Sequence, residues 1–144
     1  MTIDPEGLDF AIRTLSRLLL AEESLEATLD RVAGLACRTI ADCTCASVTM
    51  INDGKASTPV QTDALAGELD RAQYRSEKGP CLEAYSIRRV VRATIAASGE
   101  RWPQFCAEAE KAGIRSVLAI PLVVNTRPVG ALNLFSRTAD AFDS

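Results

Sequence analysis

The chain has 144 residues, 47% of them hydrophobic, and carries a net charge of -3, which fits one globular domain with a single core. Its 19 acidic residues outnumber 16 basic ones, so we expect no direct nucleic-acid binding, which draws on a concentrated basic surface. No apolar run approaches the roughly 18 residues of a membrane helix, and the polar start does not resemble a secretory signal. We therefore expect a cytoplasmic protein that does not bind a membrane.

The sequence contains five cysteines and no histidine. Without histidine no Ser-His or Cys-His nucleophilic pair can form, and neither a Walker phosphate loop nor a GxGxxG turn is present, which excludes most hydrolases and nucleotide-transfer enzymes. An odd number of cysteines in a chain without an export signal indicates reduced thiols rather than a disulfide framework. No CxxC motif completes a zinc site, so we expect no metal.

Hydrophobic periodicity predicts two helices at the start of the chain. Apolar residues at helical spacing between Leu8 and Leu19 predict a helix over about residues 5–21. The apolar stripe of this helix suits a seam with a second helix, packing on the core, or both. Ser24 is expected to cap the second helix. The predicted apolar face of that helix consists of Leu25, Leu29, Val32, Ala33, Ala36 and Ile40.

After residue 42 the hydrophobic period changes towards two. Strands are predicted over residues 46–51 and 57–62, paired as a hairpin through the turn at 52–55. Asp63 is expected to cap a helix. The later predicted elements are a short helix after Gly79-Pro80, a strand over 90–94, a helix from Trp102-Pro103 to Gly113, and a hairpin of strands 116–124 and 129–136. This order predicts an α+β domain, with helices packed on an antiparallel sheet.

Two short segments have the composition of a small-molecule pocket. Gly79 before Pro80 predicts a tight turn that leads into a helix bearing Cys81. The helix dipole at that position favours the thiolate form of Cys81, which would suit redox or ligand sensing. The alternative is that Cys81 packs in the core as a small hydrophobe. Trp102 and Phe105 share a helix face and either line a pocket or fill the core.

Hydroxyl side chains are the other candidate ligand contacts. Ser47 and Thr49 lie on one face of the first predicted strand, and Ser116 begins a later strand. They either offer hydroxyls to a ligand or form only local hydrogen bonds.

Several short segments, in their order and spacing, match a known family. They are Ala41-Asp-Cys43, Ala46-Ser-Val-Thr49, Gln73-Tyr74, Gly79-Pro-Cys-Leu82, Arg101-Trp-Pro103, Gly113-Ile-Arg-Ser-Val117, Pro121-Leu122, Pro128-Val-Gly-Ala-Leu-Asn-Leu134 and Ala141-Phe-Asp143. From about Leu8 to Asp143 the chain resembles GAF domains, and more narrowly those of actinobacterial GAF-ANTAR regulators.

The resemblance implies a single sensory GAF domain over residues 1–144, with an antiparallel sheet of about six strands. It also implies a homodimer formed through the terminal helices. The ANTAR module that binds RNA in related regulators of transcription antitermination is absent from this chain. A small ligand is expected between the sheet and the helices on one face. The sequence does not identify this ligand or any cofactor. The expected pocket wall is formed by Tyr74, Cys81, Leu82, Tyr85, Trp102 and Phe105.

Two alternatives stand beside a non-catalytic sensor. Free methionine sulfoxide reductases are also GAF-fold proteins, and their Gly-x-Cys turn resembles Gly79-Pro80-Cys81. In this alternative Cys106 is the resolving thiol. Their histidine-containing, cysteine-bearing segment has no counterpart here, because residues 101–106 follow the regulator pattern. The second alternative is a purely structural dimerisation module.

Overall fold

The computed structural model describes Gly7, residues 9–11 and residues 21–143. Its helices are α1 (Ala21–Thr39), α2 (Ala64–Ser76), α3 (Pro80–Ile87) and α4 (Pro103–Lys111), and its strands are β1 (Cys45–Asn52), β2 (Lys55–Gln61), β3 (Val91–Thr94), β4 (Ser116–Val124) and β5 (Arg127–Ser136), with a 3-10 turn at Ile95–Ala97. The strands form one antiparallel sheet in the order β2-β1-β5-β4-β3. The predicted α+β class is confirmed, with five strands in the described part where about six were expected.

Two hairpins pair neighbouring strands through two-residue turns. In the β1-β2 turn, Asp53 and Gly54 have φ values of 51° and 77°, the positive pair that a type I′ turn requires. The β4-β5 turn consists of Asn125 and Thr126, with φ values of 50° and 66°. It is shorter than predicted, because β5 already begins at Arg127.

Each face of the sheet packs against its own helices. Along β1, alternate residues point to opposite faces of the sheet. Val48 belongs to the core beneath α1, together with Ala33 and Leu134. Cys45 belongs to the core beneath α2, α3 and α4, together with Phe135. The described part of the chain therefore has two apolar cores, one on each face of the sheet, where a single core was expected. None of the described helices is long and apolar enough to cross a membrane.

The second helix differs from its prediction at the start and on one face. α1 begins at Ala21, so the predicted cap at Ser24 is wrong. The predicted residues Leu29, Ala33, Ala36 and Ile40 pack on the core beneath α1. In contrast, Leu25 and Val32 are 50% and 44% exposed, because they lie at the edge of the helix that turns away from the sheet.

The predicted first helix, over about residues 5–21, falls mostly outside the described residues. Gly7 and residues 9–11 are helical, and the remainder of that helix, including the proposed seam, stays a prediction.

Helix α2 is capped as the sequence predicts. The Asp63 carboxylate accepts a hydrogen bond from the Leu65 N–H at 2.9 Å, which satisfies one of the free N–H groups of the first turn. The helix ends at Glu77, whose φ of 57° lies in the left-handed region. This reversal delivers Gly79 and Pro80 to the start of α3.

Candidate functional site

A group of polar side chains lies inside the domain, on the sheet face beneath α2 and α3. We call this group the polar cluster. Its members are Ser47, Thr49, Thr58, Asp70, Gln73, Tyr74, Cys81 and Asn133. Thr58 and Tyr74 are partly exposed, and the other six are fully buried. Buried polar groups in such number require mutual hydrogen bonds to offset the loss of water.

Strand register and helix periodicity bring these residues together. Ser47 and Thr49, two apart on β1, share a face, and Ser47 lies directly opposite Asn133 of β5. Asp70 and Tyr74 are four apart on α2, so they lie on the same side of that helix. The cluster thus draws on elements far apart in sequence.

The hydroxyl groups form a chain of hydrogen bonds that runs towards Asp70. Thr58 donates to the Asp70 carboxylate at 2.8 Å, so the Thr58 oxygen accepts from the Tyr74 hydroxyl at 2.7 Å. The Tyr74 oxygen in turn accepts from Thr49 at 2.7 Å, and the Asn133 amide donates to Thr49 at 2.9 Å. An ionised Asp70 is the natural end of this chain, because a carboxylate only accepts hydrogen bonds.

Asp70 is the one acidic member of the cluster and is completely buried. Burial raises the pKa of Asp70 to about 7, against smaller lowering effects from hydrogen bonds with Ser47 and Thr58 and from the charge of Arg71. Its carboxylate takes part in none of the ion pairs found among the described side chains. Asp70 can therefore change its protonation state near neutral pH.

The other two ionisable members of the cluster are kept neutral. Burial, followed by the negative charge of Asp70, raises the pKa of Tyr74 above its usual value. The same two causes, in the same order, raise the pKa of Cys81. Of the two roles left open for Cys81, the thiolate is thus disfavoured, because desolvation outweighs the helix dipole.

Two amide side chains of the cluster each leave one buried atom without a hydrogen bond. The Gln73 oxygen accepts from the Cys81 N–H at 2.9 Å, which fixes the orientation of that amide. Among the described residues, the Gln73 nitrogen has no hydrogen-bond partner, and neither has the carbonyl oxygen of Asn133. An unsatisfied donor and an unsatisfied acceptor are therefore both present in the cluster, and each costs free energy until it is paired.

An open cleft of about 360 Å³ lies outside the turn that carries Gly79. Leu82, Trp102 and Glu83 contribute to its walls. Arg101 also lines the cleft, where its guanidinium stands 4.3 Å above the Trp102 ring and pairs with the Glu83 carboxylate. The cleft thus combines an aromatic wall with charges of both signs.

Gly79 separates the cleft from the polar cluster. Its φ of 168° is ordinary extended backbone, so this position does not use the conformational freedom of glycine. The reason for glycine is space, because a Cβ at this position would meet Oε1 and Cγ of Gln73 at 2.1 and 2.3 Å.

Gly79→Ala is therefore expected to displace Gln73 and break its hydrogen bond to the Cys81 N–H. We expect a loss of about 2 kcal/mol of stability, or roughly 5 °C in Tm, measured by thermal unfolding. Gly99→Ala is the matched control, because a Cβ at Gly99 meets nothing within 4 Å. Equal melting temperatures for the two variants would contradict the tight packing of Gly79 on Gln73.

The predicted pocket residues fall into three groups. Tyr74 and Cys81 come together in the cluster, where both contact Thr49. Leu82 and Trp102 line the cleft. The remaining two residues belong to neither the cluster nor the cleft. Phe105 is fully buried in the core, edge-on to Trp102 at 6.3 Å between ring centroids. Tyr85 is partly buried on α3.

Four members of the cluster were missed from the sequence: Thr58, Asp70, Gln73 and Asn133. Asn133 carried a visible signal, since it interrupts the apolar run of β5. Asp70 and Gln73 lie on the buried side of α2, and only the fold reveals the partners that make this possible.

Comparisons with known proteins agree with this architecture. The family model described as GAF domain matches residues 22–144, whereas no curated protein sequence gives a significant match. Similar solved structures include the type II free methionine-R-sulfoxide reductase from Thermoplasma acidophilum, which is 14% identical, with 84% of this chain and 80% of that chain covered and a TM-score of 0.64.

Two further structures have the same fold. The fRMsr of Staphylococcus aureus, in complex with its substrate, is 17% identical, with 100% of this chain and 88% of that chain covered and a TM-score of 0.65. The GAF domain/HD domain protein from Geobacter sulfurreducens is 19% identical, with coverages of 85% and 84% and a TM-score of 0.63. At these identities the likeness shows the fold alone, and the match over residues 22–144 shows that this chain belongs to the GAF domain family.

Proposed function

We propose that this GAF domain is a non-catalytic sensory module whose small-molecule ligand binds at the polar cluster and the adjoining cleft. The observation that carries this proposal is the pair of buried, unpartnered amide atoms on Gln73 and Asn133. A ligand that pairs them recovers the cost of their desolvation and gains specificity. In this proposal Tyr74, Cys81, Leu82 and Trp102 contact the ligand, and Phe105 packs behind Trp102.

Native mass spectrometry of the domain purified from cells tests the proposal. We expect a discrete added mass that disappears on denaturation and is reduced in the Gly79→Ala variant but not in Gly99→Ala. A wild-type spectrum without added mass, which stays so after incubation with a fractionated cell extract, would contradict ligand sensing at this site.

The thiol-dependent reductase is the enzymatic alternative, and the state of the cysteines argues against it. Cys81 is fully buried, and burial raises the pKa of both Cys81 and Cys106. A thiol needs its thiolate form to attack a sulfoxide. We therefore expect no reduction of free methionine sulfoxide in the presence of dithiothreitol, measured by amino-acid analysis. Turnover that is lost in the Cys81→Ser variant would contradict the non-catalytic assignment.

We also propose that the domain forms a homodimer through its terminal helices, with α1 contributing an outer apolar stripe. Leu25, Val32 and Leu35 are 50%, 44% and 56% exposed, and their spacing places them on one side of α1. Burial of such a stripe against a second copy removes apolar surface from water.

Leu35→Glu is expected to weaken self-association at least about tenfold without unfolding the domain, because the side chain lies outside the core. Light scattering after size-exclusion chromatography measures the mass, and Val124→Glu is the control, since Val124 is 56% exposed at the far end of β4. A monomeric wild type, or a dimer that persists in Leu35→Glu, would contradict this interface.

The proposed output is a regulator of the actinobacterial GAF-ANTAR group, in which RNA binding and antitermination belong to a module outside this chain. The support is the set of sequence segments from residue 41 to residue 143 described above. The net charge of -3 is consistent with a domain that leaves RNA binding to another module. Gel-shift titration of the domain alone with structured RNA is expected to give no complex at physiological salt, and a saturable complex would contradict this division of roles.

A further inference from the structure

We propose that the polar cluster recognises a small protonated amine that carries a hydrogen-bond acceptor a few atoms away, with Asp70 as its counter-ion. The inference rests on the proposed sensory function and specifies the chemical class of the ligand. Simple amino acids and amino alcohols belong to this class.

The charge of the cluster favours a cationic group. Asp70 is completely buried, and its hydrogen-bond partners are the neutral groups of Thr58 at 2.8 Å and Asn133 at 3.4 Å, together with Ser47. A buried carboxylate without a cation is costly, and an ammonium group supplies both the opposite charge and strong hydrogen bonds. The cluster therefore has the charge and the acceptors that an ammonium group requires.

The ionisable groups around Asp70 do not supply that cation. Tyr74 and Cys81 are neutral, with pKa values that are raised by burial and by Asp70 itself. Cys45, on β1, is likewise neutral, because burial raises its pKa to about 12. Arg71 is exposed to solvent, and its charge is the smallest of the three influences that lower the pKa of Asp70. None of these groups, all within the described part of the chain, places a positive charge on Asp70, and in this proposal the ligand supplies it.

The two unpartnered amide atoms define the rest of the ligand. The Asn133 oxygen offers a second acceptor to an ammonium group, and the Gln73 nitrogen offers a donor to a carboxylate, carbonyl or hydroxyl oxygen. The two side chains are linked through Cys81 and Thr49. The Gln73 oxygen accepts a hydrogen bond from the Cys81 N–H at 2.9 Å. The Thr49 hydroxyl oxygen lies 3.6 Å from the Cys81 sulfur and 2.9 Å from the Asn133 side-chain nitrogen. A ligand with both an ammonium group and an acceptor can satisfy the two sites together.

The position of Gly79 orients this ligand. Gly79 lines the cleft and also packs on the Gln73 side chain, so the acceptor end of the ligand lies nearer the cleft and the ammonium end lies nearer Asp70. A simple anion would meet the negative charge of Asp70. A metal ion is a poor alternative, because the described side chains include no group of three Cys, Asp or Glu that could hold one.

Isothermal titration calorimetry on the intact domain tests the inference with glycine and ethanolamine as amine probes, and with acetamide and acetate as controls. Each titration is run in two buffers of different ionisation enthalpy, at pH 6 and pH 8. Because Asp70 is largely protonated at pH 6, binding of an amine should release up to one proton there and almost none at pH 8. The affinity should be roughly tenfold weaker at pH 6.

The Asp70→Asn variant should abolish both amine binding and proton release, whereas Asp63→Asn, which alters an exposed helix cap, should change neither. If Asp70→Asn does not fold, the two-buffer comparison on the wild type still decides the question. Preferential binding of acetamide or acetate, amine binding without proton release at pH 6, or no binding of either amine at millimolar concentration would overturn the inference. An added mass in the native spectrum alongside such results would leave the sensory function intact and remove only the amine as its ligand.

Discussion

Gly130→Ala is expected to destabilise the domain by about 3 kcal/mol or more. A Cβ at this position would stand 1.9 Å from the carbonyl oxygen of Thr49 and 3.1 Å from the Cα of Met50. Both are backbone atoms of β1, paired with β5 at this point, so neither can rotate away as a side chain does. Urea unfolding followed by circular dichroism measures the loss.

Gly99→Ala again serves as the control, since its added methyl group meets open space. An unfolding midpoint for Gly130→Ala equal to that of the control would mean that β1 and β5 do not approach as closely as described. The variant should also lose ligand binding when it is folded at low temperature, because Thr49 carries a central hydroxyl of the polar cluster.

Asp70 is expected to make the domain less stable as the pH rises from about 4 to about 8. Its folded-state pKa of about 7 lies above the unfolded value of 3.8, so between these values the folded state binds more protons than the unfolded state. The contribution of Asp70 is therefore most favourable below pH 3.8 and is lost as the pH passes through 7. The change amounts to a few kcal/mol.

Comparison with the Asp70→Asn variant separates the pH dependence due to Asp70 from that due to other carboxylates. The free energy of unfolding of the variant, measured with urea at pH 5, 6, 7 and 8, should fall less with rising pH than that of the wild type. Asp63→Asn should follow the wild-type profile, because asparagine caps a helix about as well as aspartate. Parallel profiles for the wild type and Asp70→Asn would show that the carboxylate is not held in a desolvated site.

Local signals in the sequence were sufficient for most of the fold. The Asp53-Gly54 turn, the Asp63 cap and Pro80 at the start of α3 each depend on the conformational preferences of one or two residues, and each prediction is confirmed. The cap at Ser24 failed for a local reason too. Three residues that favour helix, Ala-Glu-Glu, precede it and extend α1 to Ala21.

Half of the polar cluster was missed from the sequence, because its assembly depends on contacts between distant residues. The sequence marked Ser47 and Thr49 as hydroxyls on one face, but their partner Asn133 lies more than eighty residues away. That partnership follows from the β1-β5 register, which a single sequence does not reveal. Cys81 was marked by the Gly79-Pro80 turn before it, and Tyr74 was assigned to the pocket through the family resemblance. The buried Asp70, in contrast, appears as a surface residue in any pattern that assigns charged side chains to solvent.

The position of β5 has a consequence for synthesis of the protein. β5 is the final strand in the described chain, yet it occupies the middle of the sheet, between β1 and β4. Until residues 127–136 leave the ribosome, the β1-β2 hairpin and the β3-β4 pair have no common neighbour and expose apolar edges to other chains. A stop codon before Gly130 would therefore yield two separate, aggregation-prone fragments of sheet rather than a smaller working domain.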